Sequence, residues 1–107
     1  MNCVYKYNFT IFFELANIMR RLYIISYDLN NPGQDYTRLF QVIESLGSTL
    51  HIQKSVWLLK TAQNANQIAT ALHEQMDNND ILFVSELNKG NYQGWMNTDY
   101  WEWMKEK

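Results

Sequence analysis

Two periods of apolar residues alternate along most of this chain. Leu22-Tyr23-Ile24-Ile25-Ser26-Tyr27 is β-branched and aromatic, which predicts a buried strand ending at Asp28-Leu29-Asn30-Asn31-Pro32-Gly33. Asn31 before Pro32 predicts a helix N-cap followed by proline at the first helical position. Tyr36, Leu39, Phe40, Ile43 and Leu46 then recur at three- and four-residue steps, an amphipathic helix that Gly47 can close. Leu50 to Leu59 reads as extended with a turn around Gln53 to Ser55. Asn64 with Gln67 three positions on resembles a capping box, and Ala65, Ile68, Ala69, Leu72 and Met76 form a second helical stripe. Asp77-Asn78-Asn79-Asp80 is a polar turn, and Ile81-Leu82-Phe83-Val84 a further buried strand.

The order strand, helix, strand, strand, helix, strand predicts an α+β fold, a ferredoxin-like βαββαβ sandwich with two helices on one sheet face. Right-handed crossovers are expected to set the first and last strands side by side in the middle of the sheet. With helices on one face only, the apolar side chains of the other need a lid from a second subunit or the terminal segments. A homodimer is therefore expected.

The ends depart from this rhythm. Residues 1–18 are rich in apolar and aromatic side chains, with Lys6 and Glu14 as their only charges. They lack the basic start and cleavage site of a secretory signal, and read as an N-terminal extension or as a mis-assigned start ahead of Met19. Residues 19–107 form a single expected domain. Its tail carries Tyr92, Trp95, Tyr100, Trp101 and Trp103, with a short helix from Asp99 capped by Thr98. These rings either pack on the uncovered sheet face or a partner, or offer a stacking platform for single-stranded bases. Lys89 and Lys105 flank the cluster without interleaving it, which favours packing.

The 107 residues carry nine Lys and Arg against eleven Asp and Glu, a formal net charge of −2. That balance argues against bulk electrostatic wrapping of nucleic acid and leaves room for local contacts. The single Cys3 excludes an intramolecular disulfide framework and a cysteine-cluster metal site. No run of about 18 uncharged apolar residues is present, so no membrane span is expected and the location expected is cytoplasmic.

Few residues offer chemistry. Asp28 ends the first strand, where an aspartate serves either as a turn former or as a metal ligand. Ser26 shares its strand face. His51 is a candidate general acid or base because its ordinary pKa straddles neutrality. His73 lies beside the second helical stripe, and the two histidines make an unconvincing metal pair. Asp77-Asn78-Asn79-Asp80 lacks the glycine and distal glutamate of a calcium loop. Phosphate-cradling glycine loops and nucleophile elbows are absent.

Two segments carry a family resemblance. Tyr23-Ile24-Ile25-Ser26-Tyr27-Asp28 resembles the opening strand of the Cas-two family, small dimeric CRISPR-associated subunits. Gln53-Lys54-Ser55-Val56-Trp57 resembles that family's glutamine-x-serine-valine-aromatic segment. The tail is similar to a SinR-labelled branch of the superfamily, related to the VapD toxin ribonucleases. The resemblance spans Leu22 to Leu87 and implies a homodimer with Asp28 of each subunit near the two-fold axis. It also implies Mg²⁺ or Mn²⁺ held by Asp28 for endonucleolytic hydrolysis of RNA or DNA, with Asp28 and His51 as the catalytic candidates. Other members act as scaffolds without hydrolysis. Typical members place several arginines near the start of the first helix, where this chain keeps Arg38 alone. Nucleic-acid contact is then expected from Arg20, Arg21, Arg38 and Lys54, with Lys60 in support. The alternative is a non-catalytic dimeric adaptor that binds a protein partner through its acidic surface and aromatic tail. Convergence of the cations on Asp28 would separate the two.

Overall fold

Only Lys54 and Ser55 separate two of the strands, and that short link sets the topology. The computed structural model describes residues 19–106. Within them β1 (Arg21–Asp28), α1 (Thr37–Ser45), β2 (Ser48–Gln53), β3 (Val56–Thr61), α2 (Ala65–His73), β4 (Ile81–Glu86) and α3 (Thr98–Lys105) follow in order. The fold is α+β: a four-stranded antiparallel sheet in the order β2-β3-β1-β4, with three helices. This arrangement is compatible with a ferredoxin-like fold. The expectations for residues 1–18 lie outside the described residues.

One strand is placed differently from expectation. β1 and β4 are neighbours, yet β4 stands at the edge and β3 shares the centre with β1. The tight hairpin holds β3 beside β2, and β3 then pairs with β1 from Arg21↔Thr61 to Ser26↔Val56. Its burial shows the consequence. Trp57 through Thr61 are buried without alternation, as befits a strand covered on both faces. On β4, Ile81 and Phe83 remain 60% and 62% exposed.

The core fills one side of the sheet. Tyr23, Ile25 and Tyr27 of β1 and Trp57 and Leu59 of β3 meet Leu39 and Ile43 of α1 and Ile68 and Leu72 of α2. Leu82 and Val84 extend it onto β4. At ~25 cal/mol per Å², each fully buried side chain of this size contributes roughly 1.5–3 kcal/mol. Gly47, between α1 and β2, passes so close to β3 that a Cβ there would lie 2.2 Å from the Lys60 carbonyl oxygen. Glycine is dictated at that position by contact.

The helix boundaries show which local signals prevailed. Asn64 forms the expected capping box, accepting from Gln67 N at 2.8 Å while Gln67 Oε1 accepts from Asn64 N at 2.9 Å. The first helix, in contrast, begins at Thr37 rather than at Pro32. Asn31, Pro32, Gly33 and Gln34 form a turn closed by Gln34 N donating to Asn31 O at 3.0 Å, with Gly33 at φ +90°. A positive φ after proline is the type II geometry that glycine supplies. Asn31 is unavailable as a cap because its Oδ1 accepts from Asn79 Nδ2 at 3.3 Å, while its own Nδ2 donates to Asn79 and Asp80.

The second sheet face is partly covered. Lys60 points to it and donates through Nζ to the carbonyl oxygen of Trp103, while its ammonium lies 4.2 Å from the Trp103 ring centroid. Met104 is buried beside this contact. The helix α3 thus supplies part of the lid. Packing does not extend to every ring of the tail: Trp95 is 97% exposed, while Tyr92 and Trp101 stack on each other at 6.4 Å.

Candidate functional site

The eight residues of β1 hold Arg21 and Asp28 about 23 Å apart at a rise of about 3.3 Å per residue. The expected site residues divide between these two ends.

At the Asp28 end, the polar organiser is Asp80, which in the sequence looks like an ordinary turn residue. Its carboxylate accepts from Asn30 N at 2.8 Å, Asp77 N at 2.8 Å, Tyr36 OH at 3.0 Å and Asn31 Nδ2 at 3.3 Å. These bonds tie the β1–α1 loop to the α2–β4 loop. Burial alone would raise the Asp80 pKa, but the bonds from Asn30, Asp77, Tyr36 and Asn31 favour the ionised form and hold it below the ordinary value. Asp28 is left exposed, and its carboxylate accepts no hydrogen bond among the described residues. The turn-forming role therefore belongs to Asp80.

His51 does not join Asp28. It pairs across the hairpin with Trp57, and pair partners share a sheet face. That is the helix-covered face of Tyr27 and Trp57, whereas Asp28 alternates onto the other with Ser26. The His51 ring stacks on Trp57 at 4.0 Å with planes 9° apart. Its Nε2 lies 3.2 Å from the Lys54 carbonyl oxygen, to which it donates in the Nε2–H tautomer. Trp57 Nε1 donates to Tyr27 OH at 3.0 Å, and Tyr27 OH donates to the same carbonyl at 3.4 Å. One carbonyl thereby anchors the turn. Lys54 in that turn and Arg38 on α1 are exposed. His73, on α2, lines a separate hollow of about 470 Å³ with Glu74 and Asp80.

A divalent ion fits this end poorly on one chain. Asp28 supplies a single carboxylate, Asp80 is already committed to four partners, and no group of three metal-ligating side chains occurs among the described residues. No hydrolytic step is derived from it.

The opposite end gathers the charge. Arg20, Arg21, Lys60, Lys89 and Lys105 line one groove of about 860 Å³, against the carboxylates of Glu86 and Glu106. Leu22, Leu87, Tyr92 and Met104 form its apolar wall. Glu86 is engaged by Arg21 at 3.5 Å. Arg20 Nε is buried with no hydrogen-bond partner among the described residues, a situation that costs about 1–3 kcal/mol or more for a charged group. Lys60 is only 6% exposed. Burial chiefly lowers its pKa, the nearby Arg20 charge lowers it further, and Glu106 partly offsets both. Lys89 and Lys105 were visible in the sequence only as flanks of the aromatic tail. The tail folds back beside the start of β1 and brings them into the groove.

Comparison with known proteins adds fold and nothing finer. No family model matches the chain, and no curated protein matches it. Among solved structures, a hypothetical protein TT1823 from Thermus thermophilus is similar at a TM-score of 0.53 and 18% identity. The match covers 73% of this chain and 95% of that one. At such identity the likeness is one of fold.

Proposed function

We propose that this protein is a cytoplasmic, ferredoxin-like homodimer of Cas-two type that binds a single strand of nucleic acid in the groove between β1 and the tail. The observation that carries the reading is the concentration of five cations there in a chain whose net charge is −2. Phosphates are held by such clusters, and an aromatic wall such as Tyr92 gives a base a surface to stack on. The binding set differs from the one read in the sequence. Arg20 and Arg21 belong to it, while Arg38 and Lys54 stand at the far end of the sheet. Hydrolysis at Asp28 is a separate matter, since no group of three metal-ligating side chains occurs among the described residues.

The test is binding of labelled single-stranded RNA and DNA across a salt series. Neutralising three to five phosphates predicts a slope of log K against log salt of about −2 to −3.5. The double charge reversal Arg21→Glu with Lys105→Glu is expected to weaken binding at least tenfold, and Arg38→Glu with Lys54→Glu to leave it within twofold. Equal losses in both pairs would overturn the groove as the binding surface. The same strands incubated with Mg²⁺, Mn²⁺ or chelator, for wild type and Asp28→Asn, report on cleavage directly.

A specific observation favours a second reading, the protein-binding adaptor. Trp95, Ile81 and Phe83 are exposed apolar side chains of the kind that anchor partners. Binding of no strand in any salt would favour it.

A further inference from the structure

The groove is uneven in its chemistry. Arg21 already has Glu86 as a partner, and Lys89 and Lys105 are exposed to water. Arg20 and Lys60 are different. Lys60 is almost wholly buried, its ammonium bonds the Trp103 carbonyl oxygen and lies over the Trp103 ring, and Arg20 lies near enough for its charge to oppose that of the ammonium, with Glu106 a partial offset. Arg20 meanwhile keeps a buried Nε without a partner among the described residues. A desolvated ammonium and a partly buried guanidinium of like charge thus line the same cavity. An anion bound between them offsets both their repulsion and the desolvation of Lys60.

Resting on the nucleic-acid reading, we propose that Arg20 and Lys60 seat the terminal phosphomonoester of the strand. A phosphomonoester carries about −1.5 to −2 charges at neutral pH and three strong acceptor oxygens. An internal phosphodiester carries one charge and two unesterified oxygens. The pair of cations matches the former, and arginine adds planar donors suited to phosphate. A groove of about 860 Å³ has room for a terminal nucleotide, with Tyr92 and Met104 as its apolar wall.

The test compares one short oligonucleotide in three forms, with a 5′-phosphate, a 3′-phosphate or hydroxyls at both ends, by fluorescence anisotropy on the wild-type protein. One phosphorylated form is expected to bind at least tenfold more tightly than the hydroxyl form, and inorganic phosphate to compete selectively with it. Arg20→Gln is expected to bring the ratio of the two affinities close to one. Lys60→Met, checked for folding by circular dichroism, should do the same. Equal wild-type binding of all three forms overturns the terminal seat and leaves the nucleic-acid reading intact. Binding of none overturns that reading, and the terminal seat falls with it. Since the wild-type comparison needs no variant, misfolding of either substitution leaves the proposal exposed to refutation.

Discussion

Asp80 and Asp28 show how differently two aspartates at strand ends behave. Asp80 is held below the ordinary carboxylate pKa by bonds that outweigh its burial. A group whose folded value is depressed contributes stability above its unfolded pKa and loses it as pH falls through the folded one. The contribution of Asp80 is thus present at neutral pH and disappears below its ordinary value of 3.8. Asp80→Asn is expected to lower the melting temperature by several degrees at pH 7 and to flatten the acid limb below about pH 4. Asp28→Asn, which removes no hydrogen bond among the described residues, should leave the melting temperature at pH 7 unchanged; thermal melts of both variants, from pH 2 to 7 for Asp80→Asn, check the pair. None of this was legible in the sequence. Asp28, Asp77 and Asp80 all border turns, and only the spatial meeting of Asn30, Asn31 and Tyr36 with Asp80 separates them.

Elements were legible where a local signal had no competitor. The capping box at Asn64 and the helical stripe through Ile68 and Leu72 are satisfied within a few residues, so sequence and structure coincide. The start of α1 departs from expectation because Asn31 bonds to residues 48 and 49 positions away. The place of β4 at the sheet edge departs from expectation for a different reason: four consecutive apolar residues look alike on a central and an edge strand. Gly47 carries a further consequence at this scale. A Cβ 2.2 Å from the Lys60 carbonyl oxygen requires β3 or the α1–β2 link to move. Gly47→Ala should therefore destabilise the fold by about 1–3 kcal/mol in urea denaturation, the range for overpacked sites.

Over the whole molecule, charge and apolar surface are sorted onto different regions. Cations gather where β1 begins and the tail ends, while Ile81 and Phe83 leave part of one sheet face open. The uncovered face was anticipated from the count of helices. The groove was not, because its cations come from three segments far apart in sequence. The proposed homodimer would bury the open face, and Phe83→Glu would then place a charge inside it. Light scattering behind a sizing column is expected to find wild type at twice the 12.8 kDa chain mass and the variant at that mass. A wild-type monomer would contradict the homodimer.

The clasp around Asp80 also sets an order of events. It joins residues 44 to 50 positions apart, and its loops can meet only after β1 and β4 have paired from Tyr23↔Glu86 to Asp28↔Ile81. Closing such a separation loses chain entropy before any bond is gained, so the clasp belongs on the native side of the folding barrier. Its loss should speed unfolding and leave the refolding rate nearly untouched, a pattern readable from the two limbs of a chevron for Asp80→Asn. The clasp would then act as a brake on unfolding, lengthening the lifetime of a native state that forms without its help.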